Sequence, residues 1–384
     1  MRKKVIISGS NGQDGSYMCE YLLNQGDFEV LGATRRTSQP IFSNLNESIK
    51  NPNFKIVPME LTDPSSITSL IKNEKPDYFI NFGASSFVAD SWNQPAFTME
   101  ANAVSLIHIL EAVRQFAPLC RVYSSGSSEE WGNIDYSPQD EKHPKKPRSI
   151  YGVSKVAAGL ICKVYRESYG LYVVHGILTN HESPRRQLHF VTRKITSYVA
   201  NLYNKIRLFT KGVEGVSPNE LDFESLKLGN IDSKRDWQHS KDVVDGVWRM
   251  LNQEVYNEDL RYDMDLSGNK WKFLVDNINN YVLASGETHT VREFVELAFN
   301  EAGIEGYWTG DGVAEKYILA NYILEENPNI KSNILVEIDS NLFRPADVNL
   351  LLGDSSKARQ ELKWEPKVSF SELVKEMVKS DINN

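Results

Sequence analysis

Tyr151 and Lys155 are the two residues whose types and spacing most directly suggest chemistry. Residues four apart share one face of an α-helix and lie about one turn from each other. An ammonium group beside a phenol favours the phenolate and lowers the phenol pKa from its reference of about 10. The pair therefore predicts a base that removes a proton from a substrate hydroxyl near neutral pH. The alternative is a tyrosine–lysine pair on a solvated helix face.

A run of hydroxyl and carboxyl side chains, Ser124–Glu129, precedes this pair in the chain. It follows Arg121–Tyr123, a segment typical of the end of a buried strand. Ser127 and Glu129 are the two members of the run that we take as candidate catalytic residues. The chain from Ser124 to Lys155 is therefore the candidate catalytic segment.

Three glycines near the N-terminus lie between a strand pattern and a helix pattern. Lys4–Ser8 is an apolar run typical of a buried parallel strand, and helical spacing starts at Ser16. Gly9, Gly12 and Gly15 between them allow a tight turn and let backbone N–H groups approach a pyrophosphate at the helix N-terminus. The alternative, a glycine-rich turn without a ligand, is less favoured by this strand–turn–helix context.

The end of the second predicted strand indicates which dinucleotide binds. Glu29–Thr34 is followed by Arg35, Arg36 and Ser38, where an acidic residue would bind the ribose hydroxyls of NAD. Guanidinium and hydroxyl groups suit the additional 2′-phosphate of NADP instead. We therefore predict NADP, with a solvated basic turn as the alternative.

Strand and helix patterns alternate through the first half of the chain. The alternation predicts an α/β fold, a doubly wound parallel sheet (Rossmann) with a smaller mixed α/β substrate lobe. Ligands bind at the carboxyl ends of strands in such sheets, and Gly9, Arg35, Ser85 and Ser127 all lie at predicted ends. The expected boundaries are 1–178 for the Rossmann domain, completed by about 229–260, and 179–228 with 281–384 for the lobe.

The predicted lobe opens with four cationic residues. Arg185, Arg186, Arg193 and Lys194 lie within ten residues of each other, a density that could clamp a diphosphate. A salt-bridged helix start is the alternative. Two further stretches, 211–227 and 253–280, look like surface insertions, and capping boxes are predicted at Thr290-x-x-Glu293 and Ser369-x-x-Glu372.

Composition excludes several classes of protein. The 384 residues carry a formal net charge of −8, which argues against general nucleic-acid binding and against docking on anionic lipid. No apolar run approaches the length of a membrane span, and the apolar start breaks at Ser8-Gly9 without a cleavage site. The three scattered cysteines suggest a reducing compartment, so we expect a cytoplasmic protein. The spacing of His181, His189 and His239 fits no metal site.

The chain resembles the extended short-chain dehydrogenase/reductases and, more closely, the GDP-mannose 4,6-dehydratase family of lyases. The resemblance runs from Val5 to about Val378. Its most specific segments are Gly9–Tyr17, Arg35-Arg36, Asn180–Arg186, Phe190–Ile195, Gly229–Trp237 and Leu350–Asp354.

The resemblance implies an NADP-dependent 4,6-dehydration of a GDP-linked sugar. Tyr151 would take the proton from O4 while C4 gives up hydride, and Lys155 would hold Tyr151 and bond the nicotinamide ribose. Glu129 would remove the C5 proton, water would leave from C6, and hydride would return to C6 to give a 4-keto-6-deoxy sugar. Ser127 stands where the family has threonine, which keeps the hydroxyl with looser positioning.

The resemblance also implies binding residues and an assembly. The Arg35 segment lies at a subunit contact in the family, which implies a homodimer or homotetramer. The implied substrate-binding residues are Ser86, Asn180, Val191, Lys194, Arg235 and Arg344. The implied cofactor-binding residues are Gly9, Asn11, Gly12, Gln13, Asp14, Gly15, Arg35, Arg36, Ser38, Leu61, Ser85, Tyr151, Lys155, His181 and Arg186.

This chain departs from the family pattern at several positions. The family has histidine where Phe87 stands, an aliphatic–tyrosine pair where Glu130-Trp131 stand, and glycine with small polar residues where Gln187–His189 stand. Because several of these positions are expected to flank the substrate, two alternatives stay open: GDP-mannose itself, or a related GDP-linked sugar that differs from mannose. A GDP-manno-heptose or another GDP-hexose is the natural candidate.

Two other functions remain open. A nucleotide-sugar 4-epimerase or 4-dehydrogenase needs Tyr151 and Lys155 but no base at C5, so Glu129 argues against it. A noncatalytic NADP-binding regulator predicts a broken tyrosine–lysine pair or a missing base, and the sequence has neither defect.

Overall fold

The computed structural model describes residues 2–38, 42–210, 223–254, 277–320, 332–343 and 350–384. Two compact units make up this part of the chain. Unit 1 comprises Met1–His181, Gln238–Glu287 and Leu351–Lys367, and unit 2 comprises Glu182–Trp237, Thr288–Leu350 and Val368–Asn384. Most of the two predicted insertions lies outside the described residues.

Unit 1 is built on a seven-stranded sheet in the order β11-β6-β5-β4-β1-β2-β3. All of its neighbouring strands pair in parallel, so the predicted doubly wound sheet is confirmed. The strands are β1 (Lys3–Ser8), β2 (Phe28–Thr34), β3 (Phe54–Pro58), β4 (Tyr78–Asn81), β5 (Arg121–Ser125), β6 (Val173–Leu178) and β11 (Tyr281–Leu283).

The last strand of this sheet comes from a segment that the sequence placed in the smaller lobe. Tyr281 pairs with Gly176 of β6, and residues 281–287 and 351–367 belong to unit 1. The physical reason is that β11 is fully buried and completes the edge of the sheet beside β6. Its three residues are all apolar, and so short a run shows no alternation that could assign the strand to either lobe.

Helices flank the sheet of unit 1 on both faces, as its alternating topology requires. The longest, α7, begins after Ser149, whose hydroxyl accepts the Gly152 N–H at 3.0 Å, and ends at Gly170 in the left-handed region. The helices are α1 (Gln13–Gln25), α2 (Asn46–Ile49), α3 (Pro64–Glu74), α4 (Asp90–Asn93), α5 (Pro95–Met99), α6 (Ser105–Phe116), α7 (Ile150–Tyr169), α9 (Ser240–Leu251) and α11 (Ser356–Leu362).

A wide π-helical turn, Glu100–Val104, joins α5 and α6 into one helical run. That run, Pro95–Phe116, is long and apolar enough to cross a membrane by length and composition alone. Its most apolar window is 56% buried within the protein, the burial of a core helix. The run packs against α3 and α7 and therefore has a role inside the fold.

Among the residues that the structure describes, unit 2 packs three helices on a four-stranded sheet, in the order β13 (Gly306–Thr309), β14 (Lys316–Leu319), β15 (Ile334–Ile338) and β8 (Leu226–Leu228). Both predicted capping boxes are confirmed, with Thr290 and Glu293 opening α10 and Ser369 and Glu372 opening α12. Its helices are α8 (Val191–Thr210), α10 (Val291–Glu301) and α12 (Phe370–Asn383). The remaining strands are β7 (Asn180–Glu182), β9 (Lys234–Arg235), β10 (Trp237–His239), β12 (His289–Thr290) and β16 (Leu350–Leu351).

Candidate active site

The glycine loop after β1 is a tightly folded turn that only small residues can form. Gly9 has φ 66°, and a Cβ there would lie 2.9 Å from the backbone nitrogen of Gly83. A Cβ at Gly15 would lie 2.3 Å from the carbonyl oxygen of Gly9. Gly12 precedes the first residue of α1 and its N–H donates to Gly9 O at 2.9 Å. The loop therefore leaves the helix N-terminus open to a close-lying anion.

A group of hydrogen bonds around Asp14 fixes the end of this loop, where α1 begins. The Asp14 carboxylate accepts from the Ser240 hydroxyl and lies 2.8 Å from His181 Nε2. The Gln13 side chain donates to the His181 carbonyl oxygen at 3.0 Å. Three residues implied as cofactor-binding, Gln13, Asp14 and His181, thus lie together and hold the start of α1. A fourth, Asn11, accepts through its carbonyl oxygen from the Asn44 amide at 2.9 Å.

The chain leaves β2 at Thr34, and Arg35, Arg36 and Ser38 follow in an exposed segment without regular secondary structure. No carboxylate occupies the positions directly after this described strand. Leu61, in the segment after β3, packs on Gly83 after β4, since a Cβ at Gly83 would lie 2.9 Å from Leu61 Cδ1. The exposed guanidinium groups are therefore available to an anionic ligand.

A buried asparagine that the sequence analysis missed connects the end of β4 to α7. The Asn102 side chain accepts the Ser85 N–H at 2.8 Å and donates to the Ser85 carbonyl oxygen at 3.0 Å. The same amide group lies 3.0 Å from Ser154 Oγ, which itself donates to the Tyr151 carbonyl oxygen. Asn102 sits in the π-helical turn, and such turns are frequent at functional sites. In the sequence, Asn102 could have been noticed as one amide side chain on an otherwise apolar helix face.

Tyr151 and Lys155 lie on α7 as predicted, and both side chains are largely buried. Lys155 Nζ donates to the Ser125 carbonyl oxygen at 2.7 Å and lies 5.6 Å from the Tyr151 ring centroid. Burial lowers the pKa of Lys155 to about 8, while the negative charges of Glu130 and Asp14 oppose that shift. The alternative of a solvated tyrosine–lysine face is therefore wrong, and the ammonium is held beside the phenol by the end of β5.

The turn after β5 brings Ser127 and Glu129 close to the start of α7. Ser127 caps a short 3-10 turn, Ser128–Glu130, and its hydroxyl accepts the Glu129 N–H at 3.2 Å. A Cβ at Gly152 would lie 2.7 Å from the Glu129 carbonyl oxygen, so the turn packs directly on the residue after Tyr151. The backbone of Ser127 and Glu129 therefore lies beside the first turn of α7, which carries Tyr151 and Lys155.

Glu130 and Trp131 were expected to flank the substrate, and the structure corrects this expectation. Their side chains are only 2% and 0% exposed. Glu130 accepts the Ser127 N–H and lies 2.9 Å from His175 Nε2, while Lys145 Nζ lies 5.4 Å from the Trp131 ring centroid. Both side chains are therefore buried within unit 1. Of the other departures, Gln187–His189 are exposed and Phe87 is half-buried.

Unit 2 holds the cationic segment that was predicted as a diphosphate clamp. Arg186 pairs with Glu182 at 3.1 Å and stacks on Phe190, and Arg193 pairs with Asp381. Both guanidinium groups therefore have carboxylate partners, which agrees with the salt-bridged alternative, and the diphosphate clamp stays a prediction. Lys194 instead donates to the Lys227 carbonyl oxygen at 2.7 Å, and burial lowers its pKa.

The other residues implied as substrate-binding differ in exposure. Ser86 and Val191 are exposed, Asn180 is half-buried in β7, and Arg235 is mostly buried in β9. Arg344 lies outside the described residues. Among the residues that the structure describes, no group of three or more histidine, cysteine, aspartate or glutamate side chains could hold a metal ion.

Comparisons with known proteins point in one direction. The family model described as GDP-mannose 4,6 dehydratase matches residues 6–265 and 257–377. The chain is 39% identical to the GDP-mannose 4,6-dehydratase of Vibrio cholerae, over 100% of this chain and 94% of that protein. It is 36% identical to the human GDP-mannose 4,6 dehydratase, over 99% and 92% of the two chains.

A solved structure shares the fold at lower identity. The dTDP-glucose 4,6-dehydratase of Bacillus anthracis, solved in complex with NAD, superimposes with a TM-score of 0.70. The two sequences are 17% identical, and the match covers 100% of this chain and 97% of that one. At this identity the likeness supports the architecture of the sheet and its flanking helices.

Proposed function

Because the chain belongs to the GDP-mannose 4,6-dehydratase family, we propose that it converts a GDP-linked sugar to the 4-keto-6-deoxy sugar with NADP as cofactor. The chain is a dehydratase by family, and the finer proposal concerns its substrate, its cofactor and its residues. The observation that carries it is the packing of the Glu129 turn on Gly152, beside Tyr151. Loss of water after oxidation at C4 requires a base that removes the proton alpha to the new ketone, and a carboxylate next to the tyrosine–lysine pair can act as that base.

The loop after β1 fits a dinucleotide. Gly9 and Gly15 leave no space for a Cβ, which is the geometry that lets a pyrophosphate approach backbone N–H groups. Arg35 and Arg36 favour NADP over NAD, because exposed guanidinium groups at the end of β2 can bind the 2′-phosphate. When bound, the nicotinamide would accept hydride from C4 of the sugar and supply it to C6.

Each catalytic residue has a proton to hold or move. Tyr151, held as the phenolate by the Lys155 ammonium, takes the proton from O4 as C4 is oxidised and becomes the neutral phenol. Ser127 donates a hydrogen bond in the O4 region. The C4 ketone acidifies the C5 proton. Glu129 removes this proton and passes it to the departing C6 hydroxyl, which leaves as water. Return of hydride to C6 and protonation at C5 then give the 4-keto-6-deoxy sugar, and the cofactor ends in the oxidation state in which it began.

The residues proposed to bind the nucleotide diphosphate are Asn180, Val191, Lys194, Arg235 and Arg344. We take Lys194 as the main phosphate contact, because its side chain is half-buried whereas Arg235 is mostly buried. Its ammonium is partly desolvated, so an incoming phosphate would be attracted at lower cost than in water. Lys194→Ala is therefore expected to raise KM for the GDP-sugar and to leave kcat nearly unchanged.

GDP-mannose is the sugar nucleotide that we propose first. The departures at Glu130 and Trp131 no longer argue for another sugar, because both side chains are buried. Gln187, Leu188 and His189 are exposed departures that keep a GDP-manno-heptose as the second candidate. Incubation with each compound and NADP, followed by detection of the 4-keto product, distinguishes the two. Preferential turnover of the heptose would overturn the choice of mannose.

Replacement of Glu129 separates dehydration from simple epimerisation or oxidation at C4. Glu129→Gln should still allow oxidation at C4, seen as NADPH absorbance at 340 nm, but should block loss of water. Glu167→Gln, an exposed glutamate on α7, is the matched control and should behave as wild type. Dehydration at the wild-type rate in Glu129→Gln would contradict the proposed mechanism. We further propose a cytoplasmic homodimer or homotetramer, which light scattering at working concentration would test.

A further inference from the structure

A buried carboxylate stands directly behind the turn that carries Ser127 and Glu129. Glu130 Oε1 accepts the Ser127 N–H at 2.9 Å, and the Ser127 hydroxyl in turn accepts the Glu129 N–H. The two residues thus form a capping box around the 3-10 turn. Capping-box glutamates elsewhere in this protein are exposed, as at Glu372, whereas Glu130 is only 2% exposed. Its role therefore goes beyond closing a helix end.

The surroundings of Glu130 are shaped to hold it against His175 of β6. Glu130 Oε1 lies 2.9 Å from His175 Nε2, and His175 Nδ1 lies 3.3 Å from Ser124 Oγ. A Cβ at Gly126 would lie 2.4 Å from His175 Nε2 and 2.5 Å from Glu130 Oε1. A Cβ at Gly159 on α7 would lie 3.1 Å from the same imidazole. Two glycines on two elements thus make the space in which the pair fits.

The charge of Glu130 is compensated from two sides. Burial by itself would raise the pKa of Glu130, but His175, Lys145 and the Ser127 N–H together lower it below its usual range. Lys145 Nζ lies 3.5 Å from the second carboxylate oxygen. The group is therefore a carboxylate at neutral pH. Its negative charge also acts on Lys155, where it opposes the effect of burial.

We propose that Glu130, locked against His175, is a positioning residue of this active site that fixes the Ser127–Glu129 turn. Its carboxylate also packs on Gly126, the residue after the Ser125 carbonyl that accepts from Lys155 Nζ, and so sets a negative charge near this ammonium. The proposal rests on the proposed function, because it assigns Ser127, Glu129 and Lys155 their roles there. Glu130 itself is buried and touches no reacting atom. It acts through the backbone of the turn and through its electric field.

The field at Lys155 has few other sources. Asp14 is the second carboxylate that acts on it, from the start of α1, and the Tyr151 phenol lies on its own helix. Asp14 is held by Ser240 and His181 in a separate cluster. The titratable and charged groups that face Glu130 come from four parts of unit 1: His175 of β6, Tyr123 of β5, Lys145 of the segment before α7, and Lys155 and Cys162 of α7.

Two substitutions separate the positional effect from the electrostatic one. Glu130→Gln keeps an acceptor for the Ser127 N–H and removes the charge. We expect kcat within about 3-fold of wild type at its optimum, with the pH–kcat profile moved to lower pH by about half a unit to one unit. Glu130→Leu removes both, and we expect kcat to fall about 10- to 100-fold with KM for the sugar nearly unchanged.

Glu141→Gln is the matched control. Glu141 lies in the same connection before α7 and accepts the Val282 N–H at 2.8 Å, so it also bonds a backbone N–H with a partly buried carboxylate. It is not among the charges that act on Lys155. Its pH profile should match wild type, even if its unfolding temperature falls. Profiles of Glu130→Gln and Glu130→Leu that match this control, with only stability lowered, would overturn the proposal.

A second measurement decides the inference without any sugar. Acetic anhydride acetylates only the neutral amine, so the pH dependence of Lys155 acetylation, read by mass spectrometry of its peptide, reports its protonation. The midpoint should fall in Glu130→Gln relative to wild type and Glu141→Gln. An unchanged midpoint would overturn the electrostatic part. If wild type does not turn over GDP-mannose or the heptose, the proposed function fails, and this labelling result still judges Glu130.

Discussion

The ends of β1 and β5 lie in one sheet, yet they are built on opposite principles. After β1, the chain turns through Gly9 and Gly15, whose missing side chains leave backbone N–H groups open. After β5, the turn is filled by side chains, with Ser127 capped by the buried Glu130. The first end suits the binding of an anion by backbone. The second suits chemistry, because side chains held from behind keep their positions.

The difference also decides what each end contributes energetically. Ordering a glycine loop costs conformational entropy, and the loop makes its ligand contacts only when the ligand is bound. The β5 end instead buries ionised groups, which costs free energy in the absence of substrate. Changes at the β1 end should therefore appear in cofactor affinity, and changes at the β5 end in kcat and in the stability of the protein.

The largest effect is expected from Tyr151→Phe. Loss of the phenol removes the proposed base, so kcat should fall about 10²- to 10⁴-fold. The dissociation constant of NADP should stay within about 3-fold, since the ring and Lys155 remain. Steady-state kinetics and cofactor titration measure both. Tyr165→Phe is the control. It removes a hydroxyl of the same helix that donates to Glu111 of α6, and it should keep wild-type kcat. Equal losses in both variants would break the comparison.

Lys155→Met should inactivate the enzyme and stabilise it. Burial holds the folded-state pKa of Lys155 at about 8, below its ordinary 10.5, so the charged ammonium destabilises the fold below pH 8. This cost is relieved as pH rises from about 8 to 10.5. Lys155→Met should therefore raise the free energy of unfolding at pH 7 by about 1–3 kcal/mol, and by less near pH 10.

Urea unfolding at the two pH values measures this gain. Lys163→Met is the control, because it removes the same charge from an exposed position of α7. Its free energy of unfolding should change by less than about 0.5 kcal/mol. A Lys155→Met variant that is less stable than wild type at pH 7 would show that the β5 end is not built at the expense of stability.

Gly15→Ala should weaken cofactor binding. Its Cβ would lie 2.3 Å from the Gly9 carbonyl oxygen, so the loop must shift, at a cost of about 1–3 kcal/mol. That cost corresponds to about a 5- to 150-fold rise in the dissociation constant of NADP. Gly12→Ala, with its nearest atom at 3.0 Å, should have a smaller effect. If kcat at saturating NADP falls as much as affinity, the division of roles between the two ends is wrong.

Arg35→Ala should have the smallest effect, confined to the choice of cofactor. Loss of one charge-assisted hydrogen bond to the 2′-phosphate should reduce the preference for NADP over NAD about 10-fold. The ratio of kcat/KM for the two cofactors measures it. Lys55→Ala removes a cation from the neighbouring strand β3 and should leave the ratio unchanged. An unaltered ratio in Arg35→Ala would place the 2′-phosphate elsewhere.

The β1 end could be predicted from sequence in detail because its signal is local. Gly9, Gly12 and Gly15 lie within seven residues, next to the strand and helix that they join. The strand–helix alternation and the Tyr151–Lys155 pair are equally local, and the parallel sheet was confirmed. Local spacing carries these features because backbone conformation depends on near neighbours.

The β5 end could not be predicted in the same way, because its partners are distant in sequence. Glu130 meets His175 across 45 residues, and Asn102 meets Ser154 across 52. Burial of Glu130 cannot be read from a glutamate beside Glu129, since adjacent residues on a 3-10 turn point in different directions. The same limit applies to Arg186 and Arg193, whose carboxylate partners Glu182 and Asp381 could not be identified from the spacing of the cations.

The π-helical turn Glu100–Val104 limits how the chain can change in length. A π turn holds one residue more than an α turn, so deletion of one residue there would relax it to a regular helix. Each residue of an α-helix accounts for about 100° of rotation. Such a deletion would turn Asn102 away from Ser85 and Ser154, although no atom near Tyr151 had been altered. Surface loops accept added residues at little cost, whereas this helix must keep its count.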